Sequence, residues 1–133
     1  MRVTMIACLG VALAGVSGCG EREAEAAVAA ALGDPGSAKF QSVERYDEQV
    51  CGEVNGAGNG GYARFVYRPG DAPQIERRAA YDETQLAEFD RTCALVASGG
   101  SALDRTVCDQ ARQAREALEA QRNFDALWKR SCG

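Results

Sequence analysis

The sequence predicts an α+β fold on three observations. Residues 40–68 carry three short runs rich in β-branched and aromatic residues, separated by turns. After Tyr81 the apolar spacing changes from two to about three and a half. Four cysteines remain once Cys8 and Cys19 are assigned to an amino-terminal targeting segment. The expected architecture is an N-terminal helix, a small antiparallel sheet of three to four strands, and a C-terminal helical hairpin with a long last helix, held by two disulfides. With 133 residues, 46% apolar and 26% charged, the chain has material for one ordinary core, which excludes a multidomain enzyme. Histidine is absent, and with it Ser-His-Asp and Cys-His nucleophile systems, histidine metal ligands and the usual neutral-pH proton shuttle.

The first helix is expected over Glu21–Leu32, with acidic residues in its first turn and a stripe of Ala24, Ala27, Val28, Ala31 and Leu32. Gly33 ends it, and Pro35 follows two residues later. Asp34-Pro35-Gly36-Ser37 has the central proline and glycine of a type II turn. Phe40–Tyr46, Gln49–Val54 and Tyr62–Arg68 read as strands, with Gln74–Ala80 as a fourth, and Asn55–Gly61 is a glycine-rich hairpin loop. Asp82 and Gln85 resemble a capping box opening a helix with the stripe Leu86, Phe89, Cys93 and Val96. Gly99-Gly100 breaks it. Ser101 and Asp104 resemble a second capping box, and the last helix carries Leu103, Val107, Ala111, Ala114, Leu118, Phe124, Leu127 and Trp128 through to Cys132.

Residues 1–18 read as a signal peptide. Arg2 supplies the positive start, and Ile6–Val16 is an apolar run of 11 residues, too short to span a bilayer, which takes about 20. Val16-Ser17-Gly18-Cys19 resembles the bacterial lipobox, in which an aliphatic residue and two small ones precede the cysteine that is diacylated and becomes the new N-terminus. The resemblance implies lipidation of Cys19. Ordinary cleavage after Gly18, with Cys19 a plain thiol, is the alternative. Two or three acyl chains, each buried methylene contributing about 0.8 kcal/mol, hold a protein on a membrane essentially permanently. Gly20 rather than aspartate follows, which resembles default sorting to the outer membrane, facing the periplasm. The expected mature chain, 19–133, is one domain with helix and sheet in 21–81 and the hairpin in 82–133. It has 14 Lys and Arg against 19 Asp and Glu, a formal charge of -5. An acidic surface without basic clusters argues against nucleic acid as a partner.

Helix length selects the disulfides. Cys108 and Cys132 are 24 residues apart on one helix, about 36 Å, whereas bridged α-carbons lie roughly 4.4 to 6.8 Å apart. Cys93 and Cys132 fail similarly. Cys93–Cys108, almost symmetric about Gly100, and Cys51–Cys132 survive.

Leu32-Gly33-Asp34-Pro35-Gly36-Ser37-Ala38-Lys39-Phe40, Val50-Cys51-Gly52-Glu53-Val54-Asn55 and Gly60-Gly61-Tyr62 resemble a module of small bacterial lipoproteins and secreted proteins of unknown function. The module often finishes with an aromatic-rich helix and a late cysteine, which Phe124-Asp125-Ala126-Leu127-Trp128 and Cys132 resemble. The resemblance implies export, supports the Cys51–Cys132 bridge and brings no activity. Residues 82–110, with Cys93 and Cys108, fall outside it.

Each chemical motif has a plainer reading. Gly56-Ala57-Gly58-Asn59-Gly60-Gly61 has the spacing of a dinucleotide loop, but that loop must open a helix, and here a strand follows. Asp47-Glu48 and Asp82-Glu83 lack calcium-loop spacing and read as turn carboxylates and helix caps. No Cys-x-x-Cys supports redox catalysis, so the cysteines are structural. Arg112, Arg115, Glu116, Glu119 and Arg122 read as a solvated ion-pair face, with a partner-binding face as the alternative. Phe124 and Trp128 read as core or capping residues against the sheet, and Tyr62 as packing on its strand, with ligand recognition as its alternative.

These readings lead to a non-enzymatic cell-envelope lipoprotein, without metal or cofactor, anchored to a membrane through lipid on Cys19. It binds or supports an unidentified envelope protein or cell-wall component. The candidate contact residues are Asn55, Asn59, Gly60, Gly61 and Tyr62, because four glycines in a seven-residue loop lose much backbone entropy that a two-residue turn would spare. The alternative is a secreted small inhibitor or ligand-binding module acting through the Asn55–Tyr62 loop without the lipid. A hydrolase using paired acids is the third and weakest reading.

Overall fold

The structure is a computed structural model that describes residues 18–56, 60–96 and 101–133. The expected signal peptide up to residue 17, Asn59 and the Gly99-Gly100 break lie outside the described residues, as do the side chains of Leu103 and Asp104 and with them the second capping box. The chain forms two compact units, one ending at Gln74 and the other spanning Ile75–Gly133.

In the first unit, helix α1 (Gly18–Ala31) precedes strands β1 (Lys39–Tyr46), β2 (Gln49–Asn55) and β3 (Ala63–Tyr67). A short β4 (Gln74–Ile75) completes a four-stranded sheet in the order β1-β2-β3-β4. The β1–β2 and β2–β3 pairs are antiparallel. Ala24 and Val28, one helical turn apart and both fully buried, form the face of α1 that packs on the sheet. Gly33, at φ 78°, takes the left-handed position that ends a helix, as expected.

The segment after α1 departs from the expected type II turn. Pro35–Ser37 is one turn of 3-10 helix in which Ser37 N–H donates to the Asp34 carbonyl at 3.3 Å. Gly36 does not adopt the positive φ that a type II turn requires. Proline's fixed φ suits the first position of either turn, so the dipeptide alone does not choose.

β2 is one of the two inner strands, and Val50, Cys51, Gly52 and Val54 are all buried. Partners in register share a face, so Val50, Gly52 and Val54 line up with Tyr67, Phe65 and Ala63, and Phe40 faces Val54. Phe65 is fully buried and meets Phe40 edge-on at 5.9 Å. A bulge between Gln41 and Glu44, with Ser42 at φ 53°, adds one residue to β1. It returns Val43 to the face of Phe40, where its Cγ2 lies 3.0 Å from the Cβ position of Gly52. On the opposite face Cys51 pairs with Val66, both buried.

A polar bond also joins helix to sheet: Tyr67 O–H donates to Glu23 Oε1 at 2.9 Å. Burial, and then that bond and the Glu23 charge, raise the Tyr67 phenol above its usual 10.0. Tyr67→Phe is expected to cost about 1 kcal/mol near neutrality, because the carboxylate is re-solvated when the hydroxyl goes. With the folded value above the unfolded one, the tyrosine's protonated contribution is complete below pH 10 and is lost as pH rises through the folded value. Urea midpoints between about pH 8 and 11 should therefore fall faster for the wild type than for Tyr67→Phe, and parallel curves would contradict the assignment.

In the second unit, α2 (Glu83–Val96) and α3 (Ala102–Cys132) form a hairpin. Asp82 and Gln85 make the expected reciprocal cap, with Gln85 N–H donating to Asp82 Oδ1 at 2.8 Å and Asp82 N–H donating to Gln85 Oε1 at 2.9 Å. Leu86, Phe89, Cys93 and Val96 are all half-buried, and α2 contains no fully buried residue. α3 runs 31 residues, about 46 Å. Ala111, Ala114 and Phe124 are buried along it, and Phe124 stacks with Trp128 at 6.4 Å.

The expected fourth strand, Gln74–Ala80, is a strand only over its first two residues. Farther on, the Ala79 N–H donates to Gln121 Oε1 of α3 at 2.9 Å, so this donor is satisfied by a helix side chain instead of a ladder. The arginine-bearing face of α3 is more specifically paired than a solvated surface requires. Arg115 bonds Asp90 of α2 at 2.5 Å, Arg122 bonds Glu83, and Arg112 pairs within α3 with Asp109 at 3.5 Å and Glu116 at 3.1 Å. All of these groups are exposed, so solvent and salt screen each pair and its contribution to stability is small.

Cys93 and Cys108 are bridged, with α-carbons 4.8 Å apart. Cys51 and Cys132 are also disulfide-bonded, making the second bridge Cys51–Cys132. Both are the pairings that helix length selected.

Candidate functional site

The loop between β2 and β3 is built from the end of a well-ordered ladder. Val54 opposite Ala63 is the last registered pair, and Asn55 and Tyr62 are the next residues out on the two strands. Asn55, Gly61 and Tyr62 are half-buried, Gly56 is buried and Gly60 is exposed. Gly60 and Gly61 have φ of 62° and 140°, and the second lies where side-chain-bearing residues are essentially not found. The sequence therefore needs glycine there for backbone reasons, which accounts for two of the loop's glycines without invoking a ligand. Of the five expected contact residues, the structure brings Asn55, Gly60, Gly61 and Tyr62 to one end of the β2–β3 hairpin. Asn59 lies outside the described residues.

The chemistry this end offers is amide, backbone and phenol. Asn55 and Tyr62 can donate and accept hydrogen bonds, and an aromatic ring beside glycine backbone gives a ligand a flat apolar surface. No carboxylate or amine belongs to residues 55–62.

Two other places carry chemistry. Cys19 is exposed in the first turn of α1 and, among the described residues, is the cysteine outside a disulfide. In the second unit, an open groove of about 460 Å³ lies between the segment 79–83 and α3, lined by the apolar Ala79, Ala80 and Leu118 and the charged Glu83, Arg122 and Asp125 among others. Tyr81, another lining residue, meets Phe89 edge-on at 5.1 Å. Sequence reasoning missed this groove, because it depends on the Ala79–Gln121 bond, and a glutamine on a helix surface gives no pattern to find. Among the described residues no group of three or more His, Cys, Asp or Glu is placed to hold a metal ion, and no helix is long and apolar enough to cross a membrane.

No protein-family model, curated protein or solved structure matches the chain.

Proposed function

We propose that this chain is an exported, non-enzymatic lipoprotein of the bacterial cell envelope, held through lipid on Cys19, that binds or supports an envelope partner through the Asn55–Tyr62 loop. The observation that carries the reading is Val16-Ser17-Gly18-Cys19 closing an 11-residue apolar run. Two features support it. Cys19 is exposed and outside the disulfides, while Cys51, Cys93, Cys108 and Cys132 are all oxidised, the pattern of an exported domain. Gly20 after the anchor favours the outer membrane, facing the periplasm. The loop is assigned to binding because its polar groups are amides, backbone and one phenol, which recognise ligands and do not supply a general acid or base at neutral pH.

Cys19→Ser is expected to move the protein wholly from the membrane fraction into the soluble periplasm or the medium. Fractionation followed by a high-salt wash checks this, and a serine variant that still sediments and resists the wash contradicts the anchor. Replacing Asn55–Gly61 by a two-residue Asn-Gly turn should leave the thermal transition within a few degrees of the wild type, because the ladder and both bridges remain. The same variant should lose at least about ten-fold in partner recovery from cross-linked envelope, a loss of about 1.4 kcal/mol. Undiminished recovery by the folded variant places the contact elsewhere.

A further inference from the structure

We propose that the corner formed by the first turn of α1 and the β1–β2 turn is a membrane-contact surface, lying against zwitterionic phospholipid headgroups with Arg45 and Tyr46 at the contact. The inference rests on the lipoprotein reading above. If Cys19 carries the acyl chains, what stands next to it is decided by how much loose chain follows, and α1 leaves none. Cys19 is already in the helix, Ala24 and Val28 are fully buried against the sheet, and the Tyr67–Glu23 bond pins the same helix at 2.9 Å. Gly20, one residue beyond the anchor, is half-buried, and its Cβ position lies 3.6 Å from Arg45 Nη1. One α-carbon step, the Cα–Cβ bond and that contact together span at most about 9 Å, comparable with one headgroup layer of about 5 to 8 Å. The end of β1 therefore cannot stand far from a bilayer that holds Cys19.

Consecutive strand residues point to opposite faces, so Arg45 and Tyr46 flank the end of β1 on its two sides, and both suit that place. Tyr46 is among the most exposed large apolar residues, at 38%, and its hydroxyl donates to Glu44 Oε2 at 2.8 Å, leaving an aromatic body with a wet tip, the kind of group that settles at headgroup depth. Arg45 Nε donates to the Asp47 carbonyl at 3.0 Å, which holds the guanidinium beside Gly20, where a lipid phosphate can meet it. Glu21, Glu44, Asp47 and Glu48 belong to the same two segments and give the corner an acidic balance. Headgroups that carry both an ammonium and a phosphate match this mixed pattern. A strongly anionic surface does not.

The test uses the full chain, processed and lipidated in cells, in vesicles of phosphatidylethanolamine and phosphatidylcholine bearing headgroup spin labels. With Trp128→Phe and Tyr46→Trp, the reporter at position 46 should lose at least about half its fluorescence relative to unlabelled vesicles. A Gly/Ser spacer of about ten residues between Gly20 and Glu21, adding roughly 17 Å of slack, should restore most of it. Amide hydrogen exchange of the unsubstituted chain gives a reading that needs no variant: residues 45–48 should gain protection on vesicles, and lose that gain with the spacer. Protein that floats with the vesicles but shows neither quenching nor protection beyond the spacer form overturns the surface. Protein that carries no lipid and does not float overturns the anchor itself, and the surface with it.

Discussion

Loss of the Cys51–Cys132 bridge is expected to cost about 4.5 kcal/mol, against about 3 kcal/mol for the Cys93–Cys108 bridge. The difference follows from chain entropy. The first bridge closes a loop of 81 residues and the second one of 15. Cys51 also sits in an inner strand at 1% exposure, so Cys51→Ser adds a buried hydroxyl to the lost cross-link. Single domains are stable by only about 5 to 15 kcal/mol, so this loss removes between about a third and nearly all of that stability. Paired Cys51→Ala/Cys132→Ala and Cys93→Ala/Cys108→Ala variants, compared by urea denaturation, isolate the cross-links from the hydroxyl effect. Equal losses, or a larger loss from the hairpin bridge, contradict the account.

A second large effect is expected from a single methyl group at position 52. Gly52 stands directly across from Phe65, and a Cβ there would lie 2.8 Å from the ring's Cζ and 3.0 Å from Val43 Cγ2. Neither neighbour has room to yield. Phe65 is fully buried between Phe40 and the strand, and Val43 is held on this face by the bulge at Ser42. Gly52→Ala is expected to destabilise by about 3 kcal/mol, the upper end for overpacking by one carbon. Adding Phe65→Leu removes the ring atoms that clash, so the double variant should cost less than the two single losses combined. Additive losses would mean that the glycine is kept for backbone reasons instead.

The same strand shows where the sequence is legible and where it is not. Both helices of the hairpin, the reciprocal Asp82–Gln85 cap and both disulfides follow from local rules: apolar period, short-range hydrogen bonding and the rise of a helix. The Ser42 bulge does not, because Phe40 and Val43 are three apart and read as helical spacing unless the strand is already known to slip by one residue. Gln74–Ala80 offers a strand only Ile75 before three charged residues, and its Ala79 N–H is taken by Gln121, forty-odd residues away in sequence. Asp34-Pro35-Gly36-Ser37 fits two turn types, and the difference lies in one glycine dihedral. At the candidate site, Gly60 and Gly61 are explained by their positive φ angles, whereas the proposed contact role of Asn55 and Tyr62 has no internal pattern behind it.

The central claim is that Cys19 is the acylated first residue of the mature protein. Intact mass spectrometry of the wild-type chain extracted from membranes with mild detergent tests it most directly. The account predicts a polypeptide beginning at Cys19, heavier than its amino-acid mass by a diacylglyceryl group and an amide-linked acyl chain, with the excess mass confined to the peptide that contains Cys19. A chain that begins at Cys19 or elsewhere with no added lipid mass, or one that retains residues 1–18, contradicts it.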